Sequence, residues 1–452
     1  MKHVAVMSFT AAIGLMAMFA VDFVDMLFIS MLGDAALAAA VGYAGAILFF
    51  TTSFGIGFAI AAGALVARAL GADDDALASR RATHSMVLGM AVAVLFSAMI
   101  WVNLDPLVVL VGATGDTQGL AVEYLQIIIP TLPVLVAGII AGAALRAHGN
   151  ARSSMMTTIV SGVVNAVLDP FFIFVLDMGL IGAAVASVFA RFTMAGFALW
   201  VLHKKHQGLA KPNLPDLLRD VSPIMVLAIP AILTQLATPI GQAFVTRSMA
   251  QFGEAAVSGM AIVGRLTPLA FAVVFALSGA VGPIIGQNFG AKNFDRMQKV
   301  FWDAILFVAI CVVVVSLALF GLRGVIADLF NATGDGRALV YAFSGPLALL
   351  FFFNGLLFVG NASFNNLGHP YYSTWLNWAR HTVGTIPFVY LGALWFGPVG
   401  VLAGPYVGGV IFGTISVWLG LRVIDQAAKN DAKMPSPEIN QTRQLHLFHS
   451  RK

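Results

Sequence analysis

The chain has 452 residues, of which 59% are hydrophobic and 10% charged, with a formal net charge of +4. A soluble domain carries roughly 45–50% apolar and about 25% charged residues, so water is excluded as the main solvent of this surface. The basic residues are dispersed among loops rather than gathered into one basic patch, which membrane topology explains better than a nucleic-acid partner, and a single cysteine, Cys311, excludes a disulfide framework or thiolate metal site.

Twelve apolar segments follow in order, each long enough for the roughly 20 residues that a spanning helix needs. Six cover residues 4–31, 37–67, 82–104, 119–147, 153–175 and 179–203. Six more cover 222–250, 256–288, 295–322, 339–367, 371–392 and 396–424. Lys2 and His3 precede the first segment as they would in a signal peptide, but the apolar run continues to about Ser30 without a clear cleavage site and reads as a span. The pattern predicts an all-α integral membrane protein with an amino-terminal lobe over 1–203 and a cytoplasmic linker over 204–221. A carboxy-terminal lobe over 222–424 and a disordered cytoplasmic tail over 425–452 complete it.

With the amino terminus inside, Lys2, Arg68, Arg80, Arg81, Arg146, Arg152, Lys204, Lys205, Lys211, Arg219, Lys292, Arg296, Lys299 and Arg422 fall on one face. The other face has only Arg247, Arg323 and Arg337. The positive-inside rule then places both termini in the cytoplasm.

Short patterns recur at a nearly constant separation. Gly33-Asp34-Ala35-Ala36 returns as Gly253-Glu254-Ala255-Ala256, Leu70-Gly71-Ala72 as Phe289-Gly290-Ala291, Gly149 as Gly368, and Gly179-Leu-Ile-Gly182 as Gly397-Pro-Val-Gly400. Four matches in one order imply duplication of a six-helix unit. An even number of helices makes the repeats parallel, an arrangement in which transporters hold substrate between halves that rock.

Ionisable groups inside spans are costly and mark function by default. Asp22 and Asp25, three residues apart, share a face of the first span, and Asn165 and Asp169 form an i, i+4 pair in the fifth. Desolvation and mutual repulsion suit converging carboxyls to taking and releasing a proton. The alternative is that each aspartate hydrogen-bonds a neighbouring helix and holds the bundle together. Tyr124 and Gln126 in the fourth span and Ser187 in the sixth supply hydroxyl and amide groups around Asp169. The second half is polar but not acidic, with Gln235, Thr238, Gln242 and Asn354 as cavity candidates. Arg191, Arg265 and Arg380 read as structural or interfacial cations. No phosphate loop, zinc-protease or nucleophile-elbow motif is present, so neither ATP-driven transport nor membrane enzymology is supported.

These residues resemble the multidrug and toxic compound extrusion (MATE) family over roughly residues 5–425. The matching stretches are Val24-Asp25-Met-Leu-Phe-Ile-Ser-Met-Leu-Gly33, Leu70-Gly-Ala, Asn165-Ala-Val-Leu-Asp169-Pro170, Gly179-Leu-Ile-Gly-Ala-Ala and Gly286-Gln-Asn-Phe-Gly290-Ala. The resemblance implies twelve helices in two six-helix lobes and exchange of protons or sodium ions for small organic cations or amphipathic drugs. It assigns ion coupling to Asp25, Asn165 and Asp169, with Tyr124 and Ser187 beside them. Thr238 stands where one branch carries a glutamate, so the chain looks closer to the branch similar to DNA-damage-inducible protein F. Proton antiport is the first expectation, and sodium on the oxygens of Asp25, Asn165 and Asp169 the second.

The implied protein needs no cofactor, works as a monomer in the lipid bilayer and belongs in a bacterial plasma membrane. Two other readings stay open: a lipid-linked oligosaccharide flippase, for which Arg191, Arg265 and Arg380 offer cations, and a membrane receptor or scaffold using the tail.

Overall fold

The computed structural model describes residues 2–32 and 35–433; Asp34, residues 434–452 of the tail and the side chain of Asp22 lie outside the described residues. All regular elements among the described residues are helical. The first half comprises α1 (Lys2–Met31), α2 (Ala35–Gly71), α3 (Asp75–Val102), α4 (Leu104–Leu110), α5 (Asp116–Ile128), α6 (Leu132–Ala147), α7 (Ala151–Pro170) and α8 (Gly179–His206). The second comprises α9 (Leu214–Ala250), α10 (Glu254–Ala270), α11 (Ala272–Gly290), α12 (Phe294–Leu329), α13 (Gly334–Ala342), α14 (Ala348–Leu367), α15 (Pro370–His381) and α16 (Ile386–Lys433).

Eleven helical stretches among the described residues are long and apolar enough to cross a membrane, and the last, Pro370–Asp431, has 62 residues. At 1.5 Å per residue that is about three bilayer cores. The stretch folds back at Gly397, whose φ of 59° is open to glycine. Gly392 then packs against the backbone of Gly400, and Gly384 against that of Gly408. Small residues let the two arms touch backbone to backbone, as helices in lipid do. This hairpin supplies the eleventh and twelfth spans. The last helix continues to Lys433, past the expected lobe boundary at 424, and Asp431 near its end pairs with Lys292 at 2.7 Å.

The duplication is written into the turns. Left-handed backbone occurs at Asp73 and Lys292, Gly112 and Asn331, Gly115 and Gly334, and Gly149 and Gly368, each pair 219 residues apart. Gly179 and Gly397 form a fifth pair, 218 apart.

Each half has its own apolar core, yet the cores exchange helix ends. Val4 and Met7 of α1 belong to the core of the second half, where Phe9 meets Phe307 edge-on at 5.6 Å. Ile224, Leu227, Ala228 and Ile232 of α9 belong to the core of the first. The start of α9 is also fixed there electrostatically: buried Asp220 binds His84 at 2.7 Å, Arg81 at 3.1 Å and Arg80 at 3.3 Å, all from α3.

The halves close on one another at the end of the bundle that carries Arg68. The Arg68 guanidinium donates to the carbonyls of Asn366 at 2.8 Å and Asn365 at 2.9 Å, capping α14 from the opposite half. The Gln287 amide donates to the Ala147 carbonyl at 2.7 Å. Gly71 lies on the backbone of Gln287, and Gly290 on that of Arg68.

Candidate functional site

The α1/α7 contact places the Asp25 carboxyl beside that of Asp169. Asp169 is fully buried, and neither of its oxygens accepts an N–H or O–H bond from the described residues. Among the described residues Oδ1 of Asp25 is likewise buried without a donor, and Nδ2 of Asn165 is buried without an acceptor. Pro170 follows Asp169 directly, and the helix widens into a π-turn over Phe171–Val175, a distortion found often at functional positions. The buried Tyr124 hydroxyl bonds Ser187 and lies within electrostatic reach of Asp25, Asp169 and Arg191.

The broken fourth span explains how Tyr124 is held. Pro130 has no N–H, so the Gln126 carbonyl one turn earlier loses its helical partner; the Trp101 indole donates to it at 3.2 Å. The short 3-10 turn over Ile129–Thr131 leaves the Ile128 carbonyl to Arg191, whose Nη1 donates to it and to Thr131 Oγ1, both at 2.9 Å. Arg191 therefore splices α5 to α6 from α8.

Asp25 and Asp169 thus lie together, with Asn165 one turn before Asp169 on α7 and the Tyr124–Ser187 pair within electrostatic reach. Gln126 does not join them. It is exposed, because two residues beyond Tyr124 a helix has turned by about 200° to its other face. In the second half, Asn354 is buried and accepts a bond from the Arg380 guanidinium, which also meets His381 at 2.7 Å. Gln235 and Thr238 are half-buried on α9, and Gln242 is exposed. No hydrogen bond among the described residues joins these three to Asn354. Arg265 is exposed, so Arg191, Arg265 and Arg380 do not converge on one cavity.

Sequence reading placed substrate between the halves but named none of the residues that wall that space. A cavity of about 220 Å³ is walled by Ala11, Gly14, Leu15 and Met18 of α1, by Ala151, Ser154, Met155 and Thr158 of α7, by Arg146, and by Phe275, Ala276 and Gly279 of α11. Met18 and Asp25 are seven residues apart on one face of α1, and Thr158 and Asn165 likewise on α7, so cavity and carboxyl pair are neighbouring stations about 10 Å apart along one helix seam. The spacing 11, 14, 15, 18, 25 on α1 was the available signal, masked by apolar residues on every other face.

A profile of the MatE family matches the chain twice, over residues 11–171 and 230–391, and the two matches start 219 residues apart, the separation of the paired turns. The FAD transporter of Shewanella oneidensis is similar, 24% identical over 427 residues that cover 93% of this chain and 94% of that protein. The multidrug export protein MepA of Staphylococcus aureus is 26% identical over 314 residues, 68% of each. Among solved structures, a mutant of the Vibrio cholerae MATE transporter VcmN superposes with a TM-score of 0.87 at 23% identity, covering 95% of this chain and 97% of that one. With both halves matched by one profile and the whole bundle superposable, the chain belongs to the MatE family of multidrug and toxic compound transporters, a multi-pass membrane protein.

Proposed function

We propose that this transporter is a secondary active antiporter that exports cationic or amphipathic small organic molecules in exchange for protons. The carrying observation is the Asp25–Asp169 pair, two carboxyls in contact inside a membrane bundle with buried oxygens that no donor satisfies. Two carboxylates at that distance repel when both are ionised, and one bound cation between them relieves the repulsion. A proton needs no further ligand. A sodium ion would use the oxygens of Asn165 as well. Relatives named for FAD transport and for multidrug export support a small organic substrate.

We infer from the positive-inside rule that the closed end is the cytoplasmic one, and the proposed cycle takes the described state as outward-facing. In the proposed cycle the outward state takes a cation at Asp25 and Asp169 and releases substrate. The halves then close outside and part at Arg68, substrate enters from the cytoplasm, and the cation leaves. The protein does this as a monomer, because its duplicated halves already form the moving interface.

The test is dye export from reconstituted liposomes under a pH gradient, a sodium gradient or neither. Rhodamine 6G movement driven by the pH gradient and lost in Asp25→Asn and Asp169→Asn is expected. Movement on sodium alone reassigns the ion, and gradient-driven movement in both mutants sinks the coupling site.

A further inference from the structure

Resting on that antiport reading, the walls of the inter-half cavity select its substrate class. Of the residues lining it, Arg146 is the only ionisable one. Its Nη1 donates to Ser154 Oγ at 2.8 Å, and Gly279 of the opposite half lies beside its Nε. Among the described residues no carboxylate pairs with it. A guanidinium has five N–H donors in a planar fork suited to carboxylate and phosphate. Arg146 is half-buried, and a cation partly withdrawn from water without a counter-charge favours an anionic partner. Every other polar charge at hand is accounted for elsewhere: Arg68 caps α14, Arg191 splices the fourth span, and Asp25 and Asp169 face each other.

Around this one cation the cavity is apolar and soft. Leu15, Met18, Met155 and Phe275 offer aliphatic, thioether and aromatic faces, and Ser154 and Thr158 offer hydroxyls. Thioethers adapt to irregular guests and contact aromatic rings favourably. A volume of about 220 Å³ is below the roughly 300 Å³ of the smallest drug-sized pockets, so it takes part of a molecule.

We propose that the inter-half cavity binds the anionic end of an amphipathic aromatic solute, with Arg146 holding a carboxylate or phosphate and Met18, Met155 and Phe275 holding the adjoining ring. The substrates of this transporter then include organic anions and zwitterions. Arg146, Ser154 and Met18 come from one half and Phe275 and Gly279 from the other, so residues of both halves hold the solute.

The discriminating pair is 5-carboxyfluorescein and rhodamine 6G, which share a xanthene ring and differ in charge. Binding is followed by fluorescence anisotropy on the purified full chain, so the result does not depend on any ion gradient. Arg146→Gln is expected to weaken carboxyfluorescein binding at least tenfold and leave rhodamine 6G within twofold, with Arg146→Lys in between. Thermal unfolding verifies that both variants are folded. Equal weakening of both dyes, or no carboxyfluorescein binding by the wild type, overturns the proposal. So does displacement of carboxyfluorescein by phosphatidylglycerol but not by inorganic phosphate or benzoate, which would give Arg146 to a lipid headgroup. Rhodamine 6G transport tests the antiport reading separately, and each can fail without the other.

Discussion

A single methyl group at the closed end should turn the transporter over. A Cβ added to Gly71 would sit 1.9 Å from the Gln287 carbonyl oxygen, and ordinary contact begins at 3.4 Å, so the two backbones must part by about 1.5 Å. The obstacle is backbone, which no rotamer change removes. Parting by that much breaks the 2.8 and 2.9 Å bonds of Arg68 and the 2.7 Å bond of Gln287. With about 1 kcal/mol for each neutral bond and about 1.5 for each charged one, the loss is roughly 3–4 kcal/mol. The propensity gain of Ala over Gly is common to both states and cancels, so a loss of roughly 3–4 kcal/mol shifts the equilibrium between states by about 100- to 1,000-fold. Spin labels at Ala76 and Gln298, exposed residues of α3 and α12, in a Cys311→Ser background, report the separation by double electron–electron resonance. Gly71→Ala should lengthen that distance, and Gly290→Ala, whose Cβ would meet the Arg68 oxygen at 2.0 Å, should do the same. The double variant should add little, because the gap is already open. Gly42→Ala, with nothing within 4 Å, is the control. An unchanged distance in folded Gly71→Ala would refute the closed interface as a steric gate.

Three further outcomes follow from the same geometry. Asp220→Ala strands Arg80, Arg81 and His84 at the start of α9; removing one member of a buried ion cluster costs about 3–5 kcal/mol, and partial exposure of Arg80 brings this to roughly 2–3. Maleimide-dye unfolding read at the half-buried Cys311 should show a clear fall in Tm, and an unchanged Tm counts against the anchor. His148, stacked on His206 at 4.6 Å, is pushed down to about 4 by burial and by its neighbour. A depressed histidine is bound by protons first in the unfolded chain, so stability is full above about pH 6.5 and falls as pH drops towards 4. Discounted for its exposure, the loss is about 1–2 kcal/mol, and His148→Gln should flatten it. Trp101→Phe leaves the Gln126 carbonyl without its indole donor and should cost about 1 kcal/mol, detectable as a smaller shift in the same melt.

The spans and the acidic positions were legible because both are one-dimensional signals. An apolar run of bilayer length and a carboxylate within it stand out against any background in lipid. The turn glycines were legible for the same reason, since left-handed backbone at Gly149 and Gly368 restricts the residue type locally. Partnership was not legible. Val4 and Met7 look like any apolar residues, and nothing in their pattern says that they pack into the opposite half. Asp220 reads as linker charge until α3 brings two arginines and a histidine to it. In α1 every face is apolar, so the stripe through Gly14 and Met18 that lines the cavity carries no contrast. Gln126 shows the converse error: nearness in sequence to Tyr124 suggested a shared site, and the helical turn of about 200° separated them.

Obligatory exchange requires that one moving element feel both ligands, because a ligand shifts an equilibrium only by its different affinity for the two states. α1 meets that requirement by construction. Its first turns are embedded in the core of the second half, its middle walls the cavity through Leu15 and Met18, and its last turns bring Asp25 to Asp169 on α7. α7 repeats the arrangement within the first half, with Ser154 and Met155 at the cavity and Asn165 and Asp169 at the carboxyl pair. Relieving repulsion at the pair changes how the end of α1 sits on α7, while the beginning of α1 cannot follow the first half because it is packed against Phe307 in the other. In the proposed cycle the helix flexes near its middle, at the cavity wall around Gly14, which lies backbone-close to Met155. A cation at one station and a solute at the other thus compete, in the proposed cycle, for the shape of one helix. That competition is the property an antiporter needs.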